Sequence, residues 1–112
     1  MFQAWKVKIT VMKIFSPEDV FGHDLYLPSG QKINKCSLFK EGDVFIVDSV
    51  MQQPEGFCGW AWRDLYKDVA VLFFGGNFAM GTGIQYTSCT DGKKPVCFKL
   101  ERLDNDPVTS GY

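Results

Sequence analysis

The chain opens on strict alternation. Trp5, Val7, Ile9 and Val11 are apolar, and Lys6, Lys8 and Thr10 between them are polar. A period of two sends successive side chains to opposite faces, which predicts a half-buried strand over 5–11. "SPEDVFG" follows. Ser16 is suited to an N-cap, Pro17 to the first helical position, and Glu18 and Asp19 to the positive end of a helix. Gly22 ends this turn or two. The stretch from His23 to Asp43 mixes Pro, Gly, Ser and Asn with scattered apolar residues and reads as loop, with a short strand near Asp24–Leu27.

"GDVFIVDSV" is β-rich and apolar on both faces at Val44–Val47. It predicts a strand from about Asp43 to Val50 in a central position. From Phe57 the period changes. Phe57, Ala61, Leu65, Val69 and Leu72 recur near i+4 and define one face of a helix from Gly59 to Leu72. Arg63, Asp64, Lys67 and Asp68 make the opposite face, expected to be solvated. Gly75-Gly76 should terminate the helix. "FGGNFAMGTG" then reads as a mobile loop, a possible lid, since it lacks phosphate-loop spacing. "IQYTSC" and "PVCFKLERL" flank "TDGK", a hairpin signal. With Asp91-Gly92 as a two-residue turn, Thr87 faces Val96 and Gln85 faces Phe98. Cys89 then shares the face of Val96 and Phe98, and Cys97 points the other way.

These elements predict an α+β fold: a small antiparallel sheet with one main α-helix packed across a face. At 112 residues a single domain is expected, over 1–104, with a frayed polar tail at 105–112. Hydrophobic residues make up 46% of the chain, ample for one core. The formal net charge of −1 leaves no basic surplus to neutralise phosphates, so no nucleic-acid partner is expected. No apolar run reaches the roughly 18 residues of a membrane span. The first fifteen residues lack a signal-peptide pattern, and the expected location is cytoplasmic. There, Cys36, Cys58, Cys89 and Cys97 would be thiols or metal ligands rather than disulfides.

Cys58 is the leading candidate for chemistry. It falls at the start of the long helix, where unpaired N–H groups and the helix dipole stabilise a thiolate. Gly56 and Gly59 would keep its approach open for a ligand. Against this stands a small buried hydrophobe, the common fate of a free cysteine. Cys36, Cys58 and Cys89 each lie at an element end and would meet at one edge of a small domain, with His23 as a fourth ligand. Their spacing contains no Cys-x-x-Cys pair, so a zinc or iron–sulfur site would have to come from the fold. His23, beside Asp24, reads more simply as a solvated or capping residue. Trp60 and Trp62 lie about 200° apart around a helix, so one plugs the core and the other is free for a ligand or an interface. Asp64 and Asp68 are a like-charge i,i+4 pair, or acid/base groups if a cleft receives them.

"CSLFKEGDVFIV", "PEGFCGWAWRDLY", "FGGNF" and "CTDGKKPVCFKLER" together resemble a family of small uncharacterised bacterial and archaeal proteins that occur as single or tandem copies. The resemblance spans roughly 6–102. It places Cys36, Gly42, Asp43, Pro54, Gly56, Cys58, Trp60, Ala61, Trp62, Asp64, Gly75, Gly76, Cys89, Asp91, Pro95 and Phe98 on motif positions. It implies that Cys36, Cys58 and Cys89, but not Cys97, form a site. It implies no specific activity.

Three readings follow. In the first, the chain is a binding or redox module whose pocket, formed by Cys36, Cys58 and Cys89 and walled by Trp60 or Trp62, takes a metal or a small anionic molecule. In the second, it is a small enzyme with Cys58 as nucleophile, assisted by Asp64 or His23. In the third, it is an accessory subunit or homodimer module.

Overall fold

Alternation carries the first strand further than its strict part, to Ile14, where the buried row Val7, Ile9, Val11 and Ile14 ends. The computed structural model describes residues 3–49 and 51–108. Its elements are β1 (Trp5–Ile14), α1 (Pro17–Phe21), β2 (Val44–Val47), α2 (Gly59–Phe73), β3 (Ile84–Ser88) and β4 (Val96–Pro107). The four strands form one antiparallel sheet in the order β2-β1-β4-β3, and α2 packs against β1, β3 and β4. This is the expected α+β architecture.

α1 is set by its cap. Ser16 Oγ accepts the Asp19 N–H at 3.1 Å, and the Asp19 carboxylate accepts the Ser16 N–H at 2.9 Å. α2 is set by its apolar stripe. Phe57, Ala61, Leu65, Val69 and Leu72 are all buried against Val7, Ile9, Val11, Phe98 and Leu100 of the sheet. Its C-terminus is a Schellman motif: Gly75, at φ +92°, donates to Leu72 O, and Gly76 donates to Val71 O. A Cβ on Gly76 would lie 2.8 Å from the Val71 side chain, so the second glycine is required for space.

Several expectations are corrected. β2 is an edge strand, not a central one, and stops at Val47. Only one face of the sheet carries a helix, so Val44 and Ile46 point outward and are exposed while Val47 is buried. Val50 lies outside the described residues. The strand expected near Asp24–Leu27 reduces to a single bridge, Tyr26 to Lys32, within a tight turn. The hairpin register is shifted by two: Thr87 faces Phe98 and Gln85 faces Leu100. Asp91 opens a wider loop, accepting the Lys93 N–H on its side chain and the Lys94 N–H on its carbonyl, so pairing resumes only at Cys89 and Val96. An even shift preserves faces, so Cys89 and Cys97 still point apart.

β4 also runs past the expected end of the domain. Pro107 pairs with Trp5, and Val108 donates to Ala4 O at 3.0 Å. Pairing therefore continues through 105–108, and 109–112 lie outside the described residues. Nor is the glycine-rich loop after α2 a free lid. The Arg102 side chain, 6% exposed, donates to Gly76 O at 2.6 Å and to Asn77 Oδ1 at 3.0 Å, and Asn77 Oδ1 also accepts the Gly83 N–H. Among the described residues no helix is long and apolar enough to cross a membrane.

Candidate functional site

Three chain segments meet beside the start of α2: the loop before β2, the α2 N-terminus and the β3–β4 hairpin. Between them is a cavity of about 440 Å³. Cys36 comes from the first segment, Cys58 with Trp60 from the second, and Cys89 with Asp91, Lys93 and Lys94 from the third. Phe39 and Ala61 close the inner wall, both buried. A mostly apolar concavity of this size with a few convergent polar groups has the make-up of a small-molecule site.

The positions follow from the fold. Cys58 is the α2 N-cap, in extended conformation; its carbonyl accepts the first helical bond from Trp62, and its side chain makes no capping bond. Cys89 lies on the inner face of the hairpin, where its Sγ accepts the Val96 N–H at 3.3 Å. Cys36 packs half-buried against the core margin. Phe39 anchors the loop that carries Cys36, with its ring 5.1 Å from Phe57 and 5.3 Å from Phe98.

The two tryptophans divide as helical geometry requires. Trp62 packs edge-on to Phe57 and Tyr66 and is partly buried. Trp60 is 62% exposed at the cavity rim, with the Arg63 guanidinium 4.7 Å from its ring centre. Trp62, Gly56 and Gly59 do not line the cavity. Gly56 instead makes the turn before α2, at φ +77°.

The assisting groups expected for Cys58 are elsewhere. Asp64, with a side chain 8% exposed, accepts the Thr90 N–H at 2.8 Å and lies 3.6 Å from Arg63. It ties the helix to the hairpin and does not line the cavity. Asp68 is buried, not solvated, and pairs with Lys67 at 3.3 Å. His23 sits exposed on the loop after α1, with Nδ1 3.0 Å from Asp24 O. Metal coordination is not met either. Among the described residues no three of the His, Cys, Asp and Glu side chains are placed to hold an ion. The three thiols face a shared cavity but are not gathered on one point within it.

Sequence reasoning missed Phe39, Lys93 and Lys94. The two lysines follow the Asp-Gly turn signal and were legible only as turn residues. Burial pushes the Asp91 carboxyl up. The hydrogen bonds from the Lys93 side chain and N–H, with the charges of Lys93 and Lys94, outweigh that and hold it below the usual carboxylate range. Cys97, outside the cavity, has its thiol pushed up by burial and by the nearby Cys89.

Compared with protein-family models, with curated proteins and with solved structures, the chain matches none of them.

Proposed function

We propose that this chain is a binding module for a small anionic molecule with an apolar body, taken up in the cavity between Cys36, Cys58 and Cys89. The observation that carries the reading is convergence. Three separate segments bring their cysteines, an exposed tryptophan and two lysines to one cavity of about 440 Å³. The apolar body packs on Phe39, Ala61 and the Trp60 ring, and the ammonium of Lys94 meets the anionic group. The thiols then act as a soft, polarisable lining rather than as metal ligands.

The test uses 8-anilinonaphthalene-1-sulfonate, an aromatic anion. It should bind at one site and protect Cys36, Cys58 and Cys89, but not Cys97, from iodoacetamide. Trp60→Ala should weaken it by up to about tenfold, in line with an aromatic contact worth about 0.5–1.5 kcal/mol. Unchanged alkylation at all three cysteines would reject the reading.

A second reading, a self-associating module, draws on Leu38 and Trp60, which are 67% and 62% exposed at the cavity rim. It requires a dimer in sedimentation experiments that Leu38→Glu disperses.

A further inference from the structure

The cavity does not end at the hairpin. On the far side of Ser37, Lys93 and Lys94 lies a second cleft of about 490 Å³, which shares those three residues with the first. Its remaining cationic residues are Lys32, the bridge partner of Tyr26, and Lys35, from the irregular segment that follows. Four of the chain's twelve basic side chains therefore surround one cleft whose lining contains no carboxylate. That is a local departure in a protein whose formal net charge is −1.

The ion pairs do not cancel it. Lys32 lies 3.6 Å from Asp24 and Lys93 lies 3.1 Å from Asp91, both at partly exposed positions where such pairs are weak. Among the described residues Lys35 and Lys94 have no ion-pair partner within 4 Å. At longer range Lys94 acts on Asp91 and Lys35 on Asp19, so four ammonium groups stand near three carboxylates, Asp19, Asp24 and Asp91, and an excess of positive charge remains that a bound anion would offset. A single carboxylate would engage one or two ammonium groups. A phosphate monoester carries up to two charges and three free oxygens, which suits several lysines at once.

We propose that the Lys32–Lys35–Lys93–Lys94 cleft is a phosphate subsite, and that the ligand of the adjoining cavity is a phosphorylated organic molecule. The inference rests on the reading of the cavity as a ligand site. The phosphate sits among the lysines, the ester linkage passes Ser37, and the apolar body enters between Trp60 and the cysteines. Lys93 and Lys94 serve both compartments, so they fix the distance between the phosphate and the body.

The experiment follows amide resonances of the whole ¹⁵N-labelled chain at low salt with two probes. Methyl phosphate carries the anion with almost no body, and benzyl phosphate adds an aromatic ring. Methyl phosphate should shift residues 32–37 and 91–94 only. Benzyl phosphate should shift these and also Cys58, Trp60 and Cys89, and bind at least about tenfold more tightly. The double variant Lys35→Gln, Lys94→Gln should keep the folded spectrum and weaken both probes by about tenfold or more. If neither phosphate shifts the lysine loops while 8-anilinonaphthalene-1-sulfonate still occupies the cavity, the phosphate subsite is overturned and the cavity reading stands. If benzyl phosphate binds no more tightly than methyl phosphate and leaves Cys58, Trp60 and Cys89 unmoved, the two compartments do not share a ligand. If the sulfonate fails to bind, the cavity reading falls and this one with it.

Discussion

The guanidinium of Arg102 ties the end of α2 to the loop after it. It donates to Leu72 O in the last turn of α2, to Gly76 O and the Asn77 side chain in the following loop, and to the Asp104 side chain on β4. Its plane lies 6.0 Å from the Trp5 ring centre. A cation at a helix C-terminus is favourable, and removing it takes away the donor to Gly76 O together with the links to Leu72 O and Asn77. Arg102→Met should therefore cost about 2 kcal/mol and lower the thermal midpoint by roughly 8 °C, read by circular dichroism. Nothing near Arg102 in the sequence announces this role, because Leu72, Gly76 and Asn77 lie 25 to 30 positions away. The divergence of Trp60 and Trp62 was legible, since it needs only the helical repeat.

Acid response also belongs to single residues. Asp19 lies below the usual carboxylate value of 3.8, first because Ser16 donates its N–H and then because its hydroxyl helps. Asp91 lies below it for the reasons given above. Both carboxyls are depressed in the fold, so their stabilisation is complete above the unfolded value and is lost as pH falls through the folded ones. Acid unfolding should lose this contribution only below about pH 3.8. Asp91→Asn should lower the neutral plateau of a stability profile and leave its acid end nearly unchanged, so that the low-pH limb becomes flatter.

At the scale of elements, the hydrogen bond from the Thr90 N–H to Asp64 adds a polar tie to the packing of α2 on the hairpin strands. Asp64→Ala should cost about 1 kcal/mol, since it removes a hydrogen bond to a charged acceptor, and should speed hydrogen exchange at Thr90. Because Cys89 and Asp91 flank Thr90, the same variant should loosen the cavity. Trp62→Ala should destabilise by about 3 kcal/mol and Trp60→Ala by under about 0.5 kcal/mol, as urea unfolding would show. Both helices were legible because their signals are local: a capping sequence for α1, and an i+4 stripe with a glycine pair for α2. The edge position of β2 was not. Four apolar residues in a row look the same whether a second layer covers them or not, and here Val44 and Ile46 meet solvent. The hairpin face assignment survived a register error because that error was even, whereas the turn width depended on Asp91 contacts that the Asp-Gly rule does not encode.

Over the whole molecule, the sheet is held by its middle. β4 pairs with β1 along most of its length and with β3 on its other side. The C-terminal residues of β4 add the Trp5–Pro107 pairing and the Lys6–Asp106 ion pair at 3.2 Å. A chain ending at Leu103 should still fold, because Val96, Phe98 and Leu100 remain, but with a thermal midpoint lower by roughly 5–10 °C. The site as a whole was half legible. The three cysteines at element ends pointed to it, and the lysine cleft did not, because its members come from two loops that only the finished sheet brings side by side.

The pairing of the first strand with the last has a consequence in time. Val7 finds Arg102 about 95 positions later, so the central ladder cannot begin to form while the chain is still short. At roughly 5–20 residues per second, synthesis leaves β1 waiting several seconds for its main neighbour. Through that interval the row of Val7, Ile9 and Val11 has only the short β2 to pair beside it. It is the stretch that a chaperone would hold, and the one most exposed to pairing with the same strand of another nascent copy.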